Sequence, residues 1–250
     1  VQVPGFTTNR VRLGWHNDDA PTLRTARSCV RTAFDEFHKH TDLVMDGAVD
    51  LWLSDTTTEL NGPSDFGGSN HILVNPVFYN ALNSYMKHDA SRTRIGLQLI
   101  NPAFDVIDQS LERALDLANV DAFNWQGGGC TASGPSALAT IEWMKLENVT
   151  GVIHGIYLND LVPAGRLLSS RISFTGNRLF CTDGLIFDGG CYDVRANEIA
   201  KATNGFIVLG DNSTNVEFGV NNFGPLVTNS YVIPSSNIVN ITIDYDKNQD

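Results

Sequence analysis

The sequence predicts a mainly β protein built as a right-handed parallel β-helix, and three observations lead to this prediction. Three eight-residue segments repeat along the C-terminal half of the chain. A shorter strand-like segment recurs between them, each time after an Asp-Gly or Asn-Gly pair. Apolar positions in both kinds of segment alternate as strands require. Repetition at a fixed period of about 20–50 residues is typical of solenoids, so coils are expected over roughly residues 141–224.

The eight-residue segments set the register of the predicted coils. They read ISFTGNRL (172–179), YDVRANEI (192–199) and VEFGVNNF (216–223), at offsets of 20 and 24 residues. Apolar residues occupy positions 1, 3 and 8, and Asn occupies position 6. Stacked coils would place identical amides in contact, so the Asn residues are expected to form a ladder at one turn. The ladder comprises Asn177, Asn197 and Asn221, and the inward side chains are Ile172, Phe174, Tyr192, Val194, Val216 and Phe218.

A second strand of each coil is predicted from TDGLIF (182–187) and TNGFIV (203–208), at an offset of 21 residues. HGIYLND (154–160) is taken as a looser third copy. The alternation points Leu185, Phe187, Phe206 and Val208 inward. It leaves Tyr157, Ile186 and Ile207 as an outward apolar stripe. Such a stripe is usually covered, here by helices of residues 75–120 or by another subunit.

An antiparallel β-sandwich is the alternative fold for these strands. Two features oppose it. The repeats match one full period apart and not as neighbours in a hairpin. In addition, no two-residue hairpin turn joins strong strands.

The start of the chain predicts a helix that caps the solenoid. Asp19 is suited to an N-cap and Pro21 to the first helical turn. The residues on its apolar face recur at helical spacing: Leu23, Ala26, Val30, Phe34 and Phe37. LVMDGAVDLWL (43–53) then predicts strand, Gly bend and strand. Residues 1–60 are therefore assigned to the cap and first strands, since solenoid ends need covering.

The middle segment, 61–140, is predicted to contain inserted helices. Asn75-Pro76 and Asn101-Pro102 each end an apolar strand and open a segment with helical spacing, at an offset of 26 residues. These helices are either loops lying against the coils or a small α/β subdomain. The Gly-rich stretch WQGGGCTASGPSA (125–137) lacks the patterns of phosphate-binding loops. Residues 141–250 then supply the coils and C-terminal strands of one continuous domain.

Composition argues against several classes of ligand and partner. The net charge is −11 and no basic run is present, which argues against nucleic acid and mildly favours a neutral ligand. The chain shows no apolar run long enough to span a membrane and no signal peptide. The four cysteines do not form CxxC pairs, so a zinc site is not expected, and both two disulfides and buried free thiols remain open. No cofactor can be identified.

The candidate site comes from position 2 of the octets, which places Asp193 and Glu217 on adjacent coils. Coils lie about 4.8 Å apart, close to the spacing of the carboxyl pair in retaining glycosidases. One acid is expected to protonate the leaving oxygen while the other attacks or orients water, in an open groove. Arg195, two residues along, is the expected substrate-binding residue. The competing interpretation is that these charges are solvated and that Arg195 simply pairs with both acids.

Three further residues are weaker candidates: His154, Asp183 and Asp211. His154 is a lone histidine for which a structural role is the alternative. CTDG (181–184) and GDN (210–212) are similar to the acidic motifs of polygalacturonase-type β-helices. The chain lacks the GHG and RIK motifs of those enzymes, which favours turn formation as the reason for both segments.

The segment NDDAPTLRTARSCVRTAFDEF (17–37), followed by strand–Gly–strand, resembles the N-terminal cap of the pectate-lyase-like β-helix superfamily. This resemblance implies an extracellular or virion-associated protein that cleaves or modifies a polysaccharide as a hydrolase, lyase or epimerase. Phage tailspikes of the superfamily are trimers, which implies a homotrimer. The alternative is a non-catalytic glycan-binding or structural module of the same fold.

Overall fold

The computed structural model describes residues 7–14, 28–32, 38–55, 66–79, 81, 83–89, 93–106, 113–132, 142–159, 163–233 and 240–243. Every strand pairing recorded among them is parallel, and each strand pairs with the equivalent strand of a neighbouring coil. The chain is therefore a parallel β-solenoid, as the repeats predict.

The strands form three ladders that run along the solenoid axis. Ladder A contains β1 (Thr7–Asn9), β4 (His38–Thr41), β7 (Phe66–Val74), β10 (Thr93–Ile100) and β21 (Asn240–Ile243). Ladder B contains β3 (Ser28–Thr32), β6 (Asp50–Asp55) and β9 (Ser84–Asp89). Ladder C contains β2 (Arg12–Gly14), β5 (Val44–Asp46), β8 (Val77–Tyr79), β11 (Ala103–Val106), β13 (Gly129–Ala132), β15 (Tyr157–Asn159) and β17 (Arg178–Phe180).

Longer strands join these ladders. Four of them bend from ladder B into ladder A: β12 (Arg113–Gln126), β14 (Met144–His154), β16 (Gly165–Thr175) and β18 (Leu185–Arg195). β19 (Glu198–Phe218) passes through ladders C, B and A, and β20 (Asn222–Val232) runs from C into B.

The core is formed by inward side chains that stack from coil to coil. All of the positions predicted to point inward are buried: Ile172, Phe174, Leu185, Phe187, Tyr192, Val194, Phe206, Val208, Val216 and Phe218. The rings of Phe187 and Phe206 are 5.9 Å apart, and those of Phe206 and Phe218 are 5.5 Å apart. Burial of such a column removes a large apolar area from water and stabilises the coils.

The predicted Asn ladder is present at the corner between ladders A and C. Asn177 donates a side-chain hydrogen bond to Asn197 at 3.0 Å, and Asn197 donates one to Asn221 at 2.9 Å. All three are buried. The octet alignment, which placed these amides on successive coils, is confirmed.

The same corner explains the Asn-Pro pairs of the middle segment. Asn75 and Asn101 have left-handed backbone, with φ of 48° and 51°, and Asn101 donates to the Asn75 side chain at 3.1 Å. They turn the chain between two strands instead of opening a helix. Asn tolerates this backbone conformation better than most residues, which is why it recurs there.

The predicted inserted helices are wrong wherever the structure describes them. Val77–Tyr79, Ser84–Asp89 and Arg113–Gln126 are strands. Phe78 and Met86 both point inward, from different ladders of one coil. Two inward strands joined by a corner thus imitate helical spacing. Three other apolar positions of the predicted helical faces lie outside the described residues: Leu82, Ile107 and Leu111.

The capping helix is not found among the described residues either. Ser28–Thr32, which includes Val30, is strand β3 and pairs with β6. The remaining positions of that helix lie outside the described residues: Asp19, Pro21, Leu23, Ala26, Phe34 and Phe37. The strand–Gly–strand prediction for 43–53 is confirmed by β5 and β6, with Gly47 at the bend.

The outward apolar stripe needs one correction. Ile186 and Ile207 are register partners on ladder B, as predicted. Tyr157 lies on ladder C opposite Arg178, because HGIYLND is a ladder C strand and not a copy of TDGLIF. Among the described residues no helix covers these side chains, and none is long and apolar enough to cross a membrane.

Candidate functional site

Asp193, Arg195 and Glu217 lie together on the outward face of ladder A. Asp193 and Glu217 are register partners on β18 and β19, so the octet alignment correctly predicts their adjacency. Asp193 directly precedes the inward Val194, and Glu217 directly precedes the inward Phe218. Strand alternation therefore turns both acids toward solvent. Arg195 follows Val194 and points to the same side.

Arg195 joins the two acids. Its Nε donates to Asp193 Oδ1 at 2.5 Å and its Nη2 donates to Glu217 Oε1 at 2.9 Å. The hydrogen bond to Asp193 raises the pKa of Arg195 above its ordinary value, with a smaller contribution from Glu217. The three groups form a charge-paired cluster on the surface, the arrangement that the competing interpretation of the sequence describes.

A row of polar side chains extends from this cluster along the solenoid. Ser173 is the register partner of Asp193, and its hydroxyl donates to Asp193 Oδ2 at 3.4 Å. In the neighbouring row, Thr175 is the register partner of Arg195 on the preceding coil. The side-chain oxygen of Thr175 is 3.1 Å from Nδ1 of His154. His154, a weaker sequence candidate, is thus on the same face, two coils from Arg195 or about 10 Å away.

Sequence reasoning missed the continuation of this face into earlier coils. Asn124 and Gln126 are on the same outward rows of β12, and Val152, which is 41% exposed, lies between Asn124 and Ser173. Asn124 and Gln126 alternate with the buried Phe123 and Trp125, and this period of two residues is the signal that would have placed them on the outward face. The assumption of a helix-containing insertion concealed it.

Asp183 does not join the cluster. Asp183 accepts hydrogen bonds from the backbone and side chain of Asn204, at 3.1 and 2.9 Å, at the corner between ladders C and B. Asn229 then donates to Asn204 at 3.0 Å. Asp183 therefore belongs to a corner ladder, which agrees with turn formation. The side chain of Asp211 lies outside the described residues.

Metal and thiol chemistry receive no support from the part of the chain that is described. No group of three or more His, Cys, Asp or Glu side chains there is arranged to hold a metal ion. Cys29, Cys130, Cys181 and Cys191 are free thiols. Burial raises the pKa of Cys130 well above its ordinary value, which leaves this thiol protonated and unreactive.

The chain matches no model of a protein family, no curated protein and no solved structure. The structure thus defines a class, the parallel β-solenoids, with a polar outward face on ladder A. The resemblance to the pectate-lyase-like superfamily stays a prediction beyond that fold.

Proposed function

We propose that this protein is a glycan-binding β-solenoid that contacts its ligand through the outward face of ladder A. The observation that carries the proposal is the Asp193–Arg195–Glu217 cluster, continued by Ser173, Thr175 and His154. These groups present donors and acceptors at a spacing of about 4.8 Å along the axis. Sugar hydroxyls both donate and accept, so a repeating polysaccharide suits such a row.

The charge of the face favours a neutral glycan. Arg195 already bonds to both acids, so no uncompensated cation of this cluster awaits an anionic sugar. The chain as a whole carries −11, which repels polyanions at long range. An acidic polysaccharide would have to displace Asp193 or Glu217 from Arg195.

Binding is favoured over catalysis because both acids are engaged with Arg195. A glycosidase pair needs one protonated acid and one carboxylate free to attack or to orient water. A guanidinium that bonds to both acids occupies one oxygen of each, Asp193 Oδ1 and Glu217 Oε1. Catalysis through these oxygens would require the ligand to draw Arg195 away.

Cleavage of the polysaccharide is the second candidate function, and the register pairing of Asp193 with Glu217 favours it. One acid would donate a proton to the leaving oxygen and the other would attack, as in retaining enzymes. If the glycan is acidic, its carboxylate would take the place of the acids on Arg195, and elimination would become the favoured reaction.

The proposal includes a location and an assembly that follow from the superfamily resemblance. A glycan ligand suits a protein that works outside the cell or on a virion surface, and the tailspike likeness suits a homotrimer. Light scattering of the purified chain tests the trimer directly. A monomer at all concentrations would remove that part of the proposal.

The experiment is a screen of purified protein against neutral and acidic polysaccharides, with binding, new reducing ends and ultraviolet absorbance of unsaturated products all measured. Asp193→Asn, Glu217→Gln and Arg195→Met are the test variants. Glu147→Gln is the matched control, because Glu147 pairs with Lys145 at 2.9 Å on ladder B.

Each outcome of the screen has a separate meaning. Weaker binding in the three test variants, with the control unchanged, supports the binding face. Loss of product in both acid variants moves the conclusion to catalysis. A parent protein that binds and cleaves no glycan overturns the proposed function.

A further inference from the structure

We infer that the outward face of ladder C holds a second sugar-contacting site, in which the ring of Tyr157 stacks against a sugar ring. This inference rests on the proposed glycan ligand and extends its path around the corner from ladder A. His154 and Tyr157 stand on either side of that corner, and both are exposed. Nothing in the ladder A cluster requires an exposed aromatic ring there.

Among the described residues, Tyr157 has a side chain beside it on one neighbouring coil and none on the other. It is 37% exposed, with Arg178 as its register partner on one coil and Gly129 on the other. The guanidinium carbon of Arg178 lies 5.9 Å from the ring centroid and holds the ring from that side. Gly129 has no side chain, so the described part of the coil on the opposite side leaves the ring open.

The bare flank is required by the backbone. A Cβ on Gly129 would lie 1.9 Å from the carbonyl oxygen of Tyr157, so no side chain fits at this position. Gly155, at the corner between His154 and Tyr157, has φ of +65° and no atom within 4 Å of an added Cβ. Gly155 is exposed and has no side chain, and Ile156 is buried, so neither residue places a side chain on the surface between His154 and Tyr157.

The chemistry of this flank fits a neutral sugar. The face of an aromatic ring carries negative charge density and attracts the polarised C–H groups of a pyranose. Arg178 is also paired with Glu198 at 3.2 Å, so its charge is balanced and it acts as a support for the ring. An acidic sugar finds no unbalanced cation beside Tyr157 among these residues.

Phe180 is the matched comparison on the same face. Lys201 lies 5.3 Å from its ring centroid on one side, and Asn159 is its register partner on the other. Its ring is therefore flanked by side chains on both coils and is only half-exposed. If stacking depends on an open flank, Phe180 does not contribute.

The test measures the dissociation constant of the tightest-binding glycan of the screen for Tyr157→Ala, Tyr157→Leu, Tyr157→Phe and Phe180→Ala. Loss of the ring in Tyr157→Ala and Tyr157→Leu should weaken binding about tenfold. Tyr157→Phe keeps the ring and should bind like the parent, as should Phe180→Ala. Thermal melting of each variant verifies that the fold is intact, and Tyr157→Leu preserves apolar bulk should Tyr157→Ala fold poorly.

The outcomes separate this inference from the proposed function. Equal affinity in Tyr157→Leu and the parent, with weaker binding in Arg195→Met, overturns the Tyr157 site and leaves the ladder A face intact. A parent that binds no glycan overturns both. Equal weakening by Tyr157→Leu and Phe180→Ala overturns the role of the open flank.

Discussion

The side chain of Asn197 donates a hydrogen bond to the side chain of Asn221 on the next coil, with an N–O distance of 2.9 Å. The same amide donates to the carbonyl oxygen of Phe174 at 2.9 Å, and the Asn197 oxygen accepts from the backbone of Asn177 at 2.9 Å. One buried side chain thus satisfies polar groups on the coils before and after it. The corner between ladders A and C depends on it for hydrogen bonding.

Replacement of Asn197 by Ala should therefore destabilise the solenoid. It leaves the backbone N–H of Asn177 and the carbonyl of Phe174 buried without these partners, which costs roughly 1–3 kcal/mol. Urea denaturation measures the change in the free energy of unfolding. Asn229→Ala removes an amide from an exposed corner ladder and should cost less, since water replaces the partner. Equal losses in the two variants would contradict a special role for the buried ladder.

The coils that contain Asn177, Asn197 and Asn221 could be predicted because their sequence repeats with little change in period. The coils of the middle segment, 61–140, could not, because their corners differ. Residues with left-handed backbone lie at these corners. In later coils such a residue is Gly176 or Ala196, which directly precedes an Asn of the ladder, but in the middle segment it is Asn75 or Asn101. No common motif therefore marks the corner, and the intervening strands take on an apparent helical spacing.

The candidate site could also be predicted only in part. The adjacency of Asp193 and Glu217 follows from the octet register alone. The contact of Arg195 with both acids depends on side-chain conformation, so the sequence left both catalysis and charge pairing open for the same residues. The sequence assigns Tyr157 to the wrong ladder because the three residues of β15 alternate like those of a ladder B strand. The pairing of Tyr157 with Arg178 shows that the strand belongs to ladder C.

Glycines at this corner differ in what they tolerate. Gly128 and Gly155 have similar φ values, +66° and +65°. A Cβ on Gly128 would lie 2.1 Å from the carbonyl oxygen of Pro102, whereas a Cβ on Gly155 meets nothing within 4 Å. Both Ala variants incur the left-handed backbone cost, about 1 kcal/mol. Gly128→Ala should lose roughly 1–3 kcal/mol more through steric overlap, again by urea denaturation.

Ala196 shows why the milder variant should fold. It occupies the position of Gly155 two coils along and has φ of 56° with a Cβ present. Gly155→Ala should therefore keep the circular dichroism spectrum of the parent. A Gly128→Ala variant no less stable than Gly155→Ala would show that the backbone near Pro102 moves to make room.

Buried thiols should resist modification. Burial raises the pKa of Cys130 well above its ordinary value, and only the thiolate reacts readily with disulfide reagents. At about pH 8, Cys130 should be modified far more slowly than the half-buried Cys191. Peptide mapping after timed labelling measures both rates. In denaturant the two cysteines should react alike, and equal rates in the native protein would contradict the burial of Cys130.

Tyr192 should make the stability of the solenoid fall at alkaline pH. Its side chain is buried, its hydroxyl donates to the carbonyl of Leu167 at 2.9 Å, and it accepts from the backbone N–H of Ser170 at 3.3 Å. Burial, the largest cause, raises its pKa above the ordinary value of about 10, and the negative charge of Asp188 adds to this. The folded state therefore holds the phenol proton more tightly than the unfolded state does.

The sign of the pH dependence follows from this difference. The contribution of the neutral Tyr192 to stability is complete below about pH 10, where the phenol is protonated in both states, and it decreases as the pH rises further. Tyr192→Phe should lower the free energy of unfolding by about 1 kcal/mol at neutral pH through the lost hydrogen bonds. Above about pH 10 its stability should fall less steeply than that of the parent, so the two curves converge. Urea denaturation at neutral pH and at several alkaline values measures the curves, with Tyr157→Phe as a surface control. Parallel curves for Tyr192→Phe and the parent would contradict a buried, neutral Tyr192.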